Sequence, residues 1–366
     1  MSAELNAIYH AAILAKGHAV FYRLPNEAAI YGAICEELNE IPVDGDGFII
    51  KPFSDSDSTR IVTEEIAFRF LEEISFSFNK NNRFTKDLQT FYSKCFNKRE
   101  NNLVPFFNGI SGISSSKQQY ISAVENAVSE IKAGNITKVV LSRCKPHHFV
   151  QRKHPINIFL ELCSRYPGAF VNLISSPVYG TWIGASPESL LEQQNEYYCT
   201  MALAGTKKSK ELSSFTTKEV KEQKIIQEYI QELLLTKNID AVFSDISAYR
   251  AGELTHLKTK INFSATASER ISIATMLHPT PAVGGVPRES AINFIANHEN
   301  YNRELYAGYF GPIKKNAMQL FVNIRCMQWT PDNAILYAGA GITEDSDPLA
   351  EFEETENKMN IIGSVL

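Results

Sequence analysis

The sequence predicts an α+β protein built on large antiparallel sheets. Two observations carry this. Strand-like runs far outnumber the helices long enough to serve as crossovers, and several of them follow one another directly along the chain, as a meander requires and a doubly wound sheet does not permit. The 366 residues suffice for one large domain or two ordinary ones, and no internal repeat divides them.

The elements follow in order. The opening “MSAELNAIYHAAILAKGHAV” holds an apolar patch with no basic leader or cleavage signal, and it is too short to span a bilayer. Through the first hundred residues, apolar runs such as “HAVFYRLP” and “DGFIIKPF” alternate with polar stretches such as “FNKNNRFTKDLQ”, a mixture of strands and helices. The polar, aperiodic “NKRENNLVPFFNGISGISSS” is the best internal boundary. “SSSKQQYISAVENAVSEIKAG” is a helix with serines to cap it and Gly134 to stop it. It leads into “ITKVVLSR”, a β-branched strand. Further strands are predicted at “AFVNLIS”, “TWIGAS”, “LFVNIRCMQW” and “AILYAGAGI”, a long helix over residues 216–235 and a last helix over 350–362.

The formal net charge of −5 points away from nucleic acid and anionic membranes as partners. The six cysteines, at 35, 95, 144, 163, 199 and 326, form no CxxC pair. Such spacing suits free thiols in a reducing cytoplasm, not a disulfide framework or a zinc knuckle.

Chemistry concentrates in two ExxE pairs. In “EFEETENK”, Glu351, Glu354 and Lys358 share one helix face, while Glu353 and Glu356 point to solvent. In “TKEVKEQKIIQEYIQELLL”, Glu219 and Glu222 continue the apolar stripe of Ile226, Tyr229, Ile230 and Leu233. A solvated face is the ordinary reading of ExxE. A carboxylate on a buried stripe instead needs a cation or a proton, and an all-oxygen set suits Mg²⁺. Lys138 alternates with Val139 in its strand, either snorkelling or set among apolar neighbours as a base. Glu188 in “GASPESLLE” is either a helix-start glutamate or a carboxyl held neutral as an acid. Gly205 and Thr206 in “LAGTKK”, and Gly339 and Gly341 in “AGAGIT”, allow close backbone approach. Thr280 lies in the stiff loop “LHPTPAVGGVPRESA”, and Arg325 lies in what reads as a central strand, where it needs an anionic partner.

Together and in this order, “KVVLSR”, “GASPESLL”, “ALAGT”, “KEVKEQKII”, “HLKT”, “LHPTPAVGG”, “YAGYFGPI”, “VNIRC”, “YAGAGI” and “SDPLAEFEETENK” resemble the chorismate-utilising enzymes, the isochorismate, salicylate, anthranilate and aminodeoxychorismate synthases. The resemblance runs from near Gln118 to the C-terminus. It implies a two-sheet α/β/α sandwich in one domain, residues 1–366, with 1–110 variable and 115–366 bearing the motifs. It implies Lys138 as general base, Glu188 as general acid, Glu222 and Glu354 as Mg²⁺ ligands, and Glu219 and Glu351 supporting them through water. Arg325, Lys358, Thr280, Gly205, Thr206 and Gly339 match substrate-binding positions, and His256 matches the histidine near the ring.

Within that family the chain is most similar to the isochorismate synthases. Ala204 stands where aminodeoxychorismate synthases carry a nucleophilic lysine, and Ala202-Leu203 precedes it where anthranilate synthases usually have Pro-Ile. No amidotransferase domain or subunit is implied, and a cytoplasmic monomer acting on chorismate is expected, in menaquinone or siderophore/salicylate biosynthesis. Salicylate synthase and a non-catalytic chorismate-binding relative remain as alternatives. Gln223 replaces a usual histidine, Phe352 a usual tryptophan, and Val220 an often basic residue.

Overall fold

Nineteen strands and eight helices form among the described residues of the computed structural model, which are 2–40, 46–54, 56–98, 105–107, 115–207, 215–251 and 254–366. In chain order the first sheet takes β1 (His18–Arg23), β2 (Ile30–Cys35), β5 (Ile66–Phe70), β6 (Ile74–Phe78), β7 (Lys138–His148), β8 (Phe170–Ser176), β9 (Gly180–Ser186), β15 (Gly285–Val286), β18 (Cys326–Trp329) and β19 (Asn333–Ile342). They lie side by side as β15-β7-β19-β18-β9-β8-β1-β2-β5-β6. The second sheet takes β3 (Gly47–Lys51), β4 (Arg60–Thr63), β10 (Ser189–Gln194), β11 (Tyr197–Lys207), β12 (Ala241–Phe243), β13 (Ser247–Ala251), β14 (Leu254–Ser264), β16 (Tyr309–Lys314) and β17 (Ala317–Val322). Its order is β12-β14-β11-β10-β17-β16-β3-β4, with β13 also on β14. The strand pairings within both sheets are antiparallel, as the succession of strand-like runs predicts. The helices are α1 (Ser2–Leu14), α2 (Arg83–Lys98), α3 (Lys117–Lys132), α4 (Pro155–Arg165), α5 (Thr217–Thr236), α6 (Arg270–Leu277), α7 (Arg288–His298) and α8 (Pro348–Gly363).

The two-residue period of a strand sorts the apolar residues of the first sheet into two cores. Val20 and Tyr22 of β1, and Phe170 and Ile174 of β8, join a core shared with the second sheet. Ala19 and Phe21, and Val171 and Leu173, join another beneath α1, α4 and the end of α8. Aromatic rings tie the sheets together: Phe170 stacks on Phe321 with centroids 4.2 Å apart, and Tyr22 meets Phe48 at 5.2 Å. The apolar N-terminal patch is therefore a core helix, with Leu5, Ile8 and Tyr9 fully buried. Strands from the first hundred residues sit in both sheets.

Local signals place the site-bearing helices. Ser116 Oγ accepts from Gln119 N at 3.2 Å while Gln119 Oε1 accepts from Ser116 N at 3.0 Å, and Gly134 at φ +81° ends α3. Asp347 caps α8 by accepting from Ala350 N at 2.8 Å, with Pro348 in the first turn.

Two expectations are corrected. “LFVNIRCMQW” is not one strand: β17 ends at Val322 in the second sheet and β18 begins at Cys326 in the first. Between them Val322 N donates to Glu188 O, Asn323 N to Gly308 O, and Asn323 Nδ2 to Leu305 O. Backbone and side-chain bonds of the run are spent on loops, so Arg325 lies in a crossover and not in a central strand. Glu356 is not simply solvated. It pairs with Arg143 and, at 2.8 Å, with Lys145, both on β7. The proposed boundary around residues 97–116 falls largely outside the described residues.

Candidate active site

A cleft leaving about 120 Å³ for solvent opens where the two sheets exchange strands. The chain crosses from the first sheet to the second between β9 and β10, and it returns between β17 and β18. Glu188 sits at the first crossing and Arg325 at the second. The crossings are stitched together, since Val322 N donates to Glu188 O at 3.0 Å and Ala185 N to Arg325 O at 2.9 Å. Lys138, at the start of β7, lines the cleft with Val140, while Val139 and Leu141 join the apolar core, the alternation expected of that strand.

Lys138 is 1% exposed, and its Nζ stands 2.9 Å from Glu222 Oε1. Burial pushes the Glu222 carboxyl up, but the charge and hydrogen bond of Lys138 outweigh it and hold the group below its usual range. Glu188 is 5% exposed. Burial lifts its carboxyl to about 7 against the opposing pull of Lys138, Lys358 and Arg325. Arg325 Nη2 stands 2.9 Å from His256 Nε2. Burial, then Arg325 and Lys358, lower the imidazole to about 3, so it is neutral and accepts from the guanidinium. Lys358 Nζ donates to Gly339 O at 2.8 Å and pairs with Glu354 at 2.7 Å.

The cleft collects Lys138, Glu188, Gly205, Glu219, Glu222, His256, Arg325, Gly339, Glu351, Glu354 and Lys358 from among the residues singled out in the sequence. Glu219 also caps its helix, one oxygen accepting from Thr216 N and Thr216 Oγ1 at 2.6 Å each. Glu351 accepts from Ser346 Oγ at 2.7 Å. Thr280 stands behind the wall: its hydroxyl is buried without a hydrogen-bond partner, and Ala282 and Val283 line the cleft in its stead. The side chain of Thr206 lies outside the described residues, although its backbone pairs with His256 across a bulge at Gly205. Among the described residues, no three His, Cys, Asp or Glu side chains are grouped to hold a metal ion.

Sequence reasoning missed Tyr306, Ile324 and Leu203 on the cleft wall. It also missed the support behind Lys138. Arg303, paired with Glu299 at 2.5 Å, donates to Val140 O at 2.7 Å and Val283 O at 2.8 Å, clamping β7 to the proline loop. The replacements noted in the sequence have visible surroundings. Gln223 Nε2 donates to Thr259 Oγ1 at 2.6 Å, Phe352 lies under the Arg143 guanidinium at 4.2 Å, and Val220 is exposed.

Two glycines leave room for the acidic groups. Gly205, at φ +63°, would bring a Cβ to 2.8 Å from Glu219 Cβ. At Gly341 a Cβ would stand 2.6 Å from Glu222 Oε1 and 3.1 Å from Lys138 Cε. Gly341→Ala therefore meets the movable end of a side chain, not backbone. The expected result is a melting temperature close to wild type with kcat/KM lower by roughly 10²-fold, because the carboxylate it displaces is the one paired with Lys138 in the cleft. Parallel thermal melts and kinetics check it, and normal kinetics would remove Glu222 from the machinery.

Fold and site together define a class: two large antiparallel sheets whose crossings bring a buried acid and a buried arginine into one cleft with a lysine–carboxylate pair from β7 and α5. The sequence profile of the family described as “Chorismate binding enzyme” matches residues 73–366, and the chain belongs to that family. It is 30% identical over 260 residues to the isochorismate synthase MenF of Escherichia coli (strain K12), covering 66% of this chain and 58% of that relative. With the isochorismate synthase EntC of the same organism it shares 31% over 199 residues, 51% of each. These matches thus span about half to three-fifths of the relatives' own lengths. The solved structure of the menaquinone-specific isochorismate synthase MenF of Escherichia coli superposes with a TM-score of 0.80 at 20% identity, over 98% of this chain and 91% of that one; the shared fold is the α+β architecture described above.

Proposed function

We propose that the chain is an isochorismate synthase, a Mg²⁺-dependent isomerase that turns chorismate into isochorismate by attack of water at C2 with loss of the C4 hydroxyl. The observation that carries this reading is the convergence of Lys138 and Glu188 on one cleft whose wall at Ala204 offers only a methyl group. With no amine at that position, the nucleophile is small and diffusible. Lys138, in its neutral form, takes the proton of the attacking water, and Glu188, held protonated by its burial, gives one to the departing hydroxyl. Arg325 holds the enolpyruvyl carboxylate. Lys358 and His256 line the substrate space with the backbone of Gly205 and Gly339, while Thr280 and Thr206 complete the proposed set.

The carboxylates suit a hard cation: four glutamates from the first two turns of α5 and α8 border the cleft. Mg²⁺ keeps waters and takes only one or two protein carboxylates. Glu222 and Glu354 would hold it, with Glu219 and Glu351 acting through water. When bound, it supplies positive charge for the ring carboxylate of the substrate. The interleaving of N-terminal strands in both sheets supports a single domain. We place the enzyme in the cytoplasm as a monomer without an amidotransferase subunit; no helix among the described residues is long and apolar enough to cross a membrane.

The test is chromatography of the ring product after mixing protein, chorismate and Mg²⁺, with pyruvate followed by coupled lactate dehydrogenase. Isochorismate is expected, unchanged by added ammonium. Stoichiometric pyruvate with salicylate would make it a salicylate synthase, and an aromatic amine would overturn water as nucleophile. Chelation should stop turnover and Mg²⁺ restore it. Glu351→Gln should cost about 10–100-fold in metal affinity or activity. Full activity in excess chelator would end the metal assignment.

A further inference from the structure

The strand that carries Lys138 also grips the last helix. β7 pairs with β19 from Val139 to His148 without a register shift, so residues five apart on it point to opposite faces. Lys138 faces the cleft, and Arg143 faces α8. Arg143 is 2% exposed. Its Nε donates to Thr355 Oγ1 at 2.6 Å and its Nη2 to Glu356 Oε1. Its guanidinium carbon lies over the Phe352 ring, 4.2 Å from the centroid. Phe352, Thr355 and Glu356 stand at i, i+3 and i+4 and so share one helix face. Lys145, two residues further along β7, adds a 2.8 Å bond to Glu356.

The gripped face adjoins the face that lines the cleft. Phe352 directly follows Glu351, and Thr355 directly follows Glu354. Successive residues lie about 100° apart around a helix, so fixing one face fixes where the other points. A carboxylate at the rim of a helix, about 5 Å from its axis, moves roughly 1 Å when the helix turns by about 10°. A misplacement of that size is costly to a group that must meet a ligand. A second tether lies one turn on. Lys358 Nζ donates to Gly339 O at 2.8 Å, and Gly339 stands in register with Ser142, the residue before Arg143.

We propose that Arg143 is a positioning residue that sets the rotation of α8 and thereby aims Glu351, Glu354 and Lys358 into the cleft. It touches neither substrate nor metal. This rests on the reading of the cleft as a Mg²⁺-dependent, chorismate-converting site. In that reading α8 supplies binding groups, while Lys138 and Glu188 sit on other elements. Loss of Arg143 should therefore weaken affinity and leave kcat at saturation in place.

The test is the Arg143→Met variant, in which Glu356 keeps Lys145 as a partner. Calorimetric titration with Mg²⁺ in the absence of substrate should show affinity about 10-fold weaker. KM for chorismate should rise by a similar factor, with kcat retained at saturating Mg²⁺ and chorismate. A purely structural arginine would lower the melting temperature and move neither affinity nor KM in the folded protein. Arg143→Lys keeps the charge and loses the planar fork, so it should show the same deficit. Glu356→Gln keeps an acceptor oxygen and should bind nearly as wild type. Thr355→Val removes only the acceptor of Nε and should show a smaller deficit of the same kind, which decides the matter should Arg143→Met not fold. Wild-type affinity and KM in Arg143→Met and Thr355→Val, full affinity in Arg143→Lys, or a fall in kcat with affinity intact would overturn the proposal. Because the Mg²⁺ titration needs no turnover, a wild-type protein that binds Mg²⁺ but yields another product overturns only the functional reading and leaves this test standing.

Discussion

Lys138→Met is expected to lower kcat by about 10²–10⁴-fold, the range for loss of a general base, while the protein folds and still binds chorismate. Methionine keeps the buried stem and removes only the amine. With the lysine charge gone, burial raises the Glu222 carboxyl, which can take up a proton, so the fold does not carry an uncompensated buried charge. Lys138→Arg separates base from structural ion pair. A guanidinium can pair with Glu222 but cannot be deprotonated in a protein, so this variant should be as inactive as the methionine one. Single-turnover kinetics and equilibrium binding of chorismate measure the two properties apart. An arginine variant with half the wild-type kcat would make Lys138 a partner for Glu222 and nothing more.

Much of this site was legible because its residues violate their surroundings. A lysine inside a β-branched strand and glutamates extending an apolar stripe are costly placements. The structure puts Lys138, Glu222 and Glu354 on one cleft. Capping was equally legible: a serine, Ser116, starts α3 and Gly134 follows its end, as the sequence predicts.

Residues acting through shape or through distant assembly were not legible. Tyr306 is an ordinary aromatic in sequence; its place on the wall follows from stacking, from the turn before β16, on Tyr337 of β19 at 5.5 Å. Gly341 could be suspected of close approach, but what it makes room for is visible only once β19 lies beside β7. “LFVNIRCMQW” reads as one strand because periodicity records side-chain burial, and residues 323–325 are buried or half-buried in a crossover as well. Only backbone hydrogen bonding, which the side chains do not encode, distinguishes the two.

Glu188→Gln is expected to lose about 10²–10⁴-fold in kcat and, unusually for an active-site change, to gain stability at alkaline pH. Burial holds the Glu188 carboxyl at about 7 in the folded chain, against 4.5 for the ordinary group. A general acid must carry its proton, so wild-type kcat/KM should fall as pH rises through about 7. The same shift sets the sign for stability. Below about 4.5 the group is protonated folded or unfolded, and burial costs it nothing extra. As pH rises towards 7 the unfolded chain releases the proton while the folded one retains it, so stability falls. Above about 7 the whole cost is present, on the order of 3 kcal/mol. Glutamine removes the titration. Urea melts at pH 8 should show the variant more stable than wild type, and melts near pH 4.5 should show the two nearly equal. A difference independent of pH would mean that Glu188 is not the buried, proton-holding carboxyl that the departing hydroxyl requires, whatever the variant does to turnover.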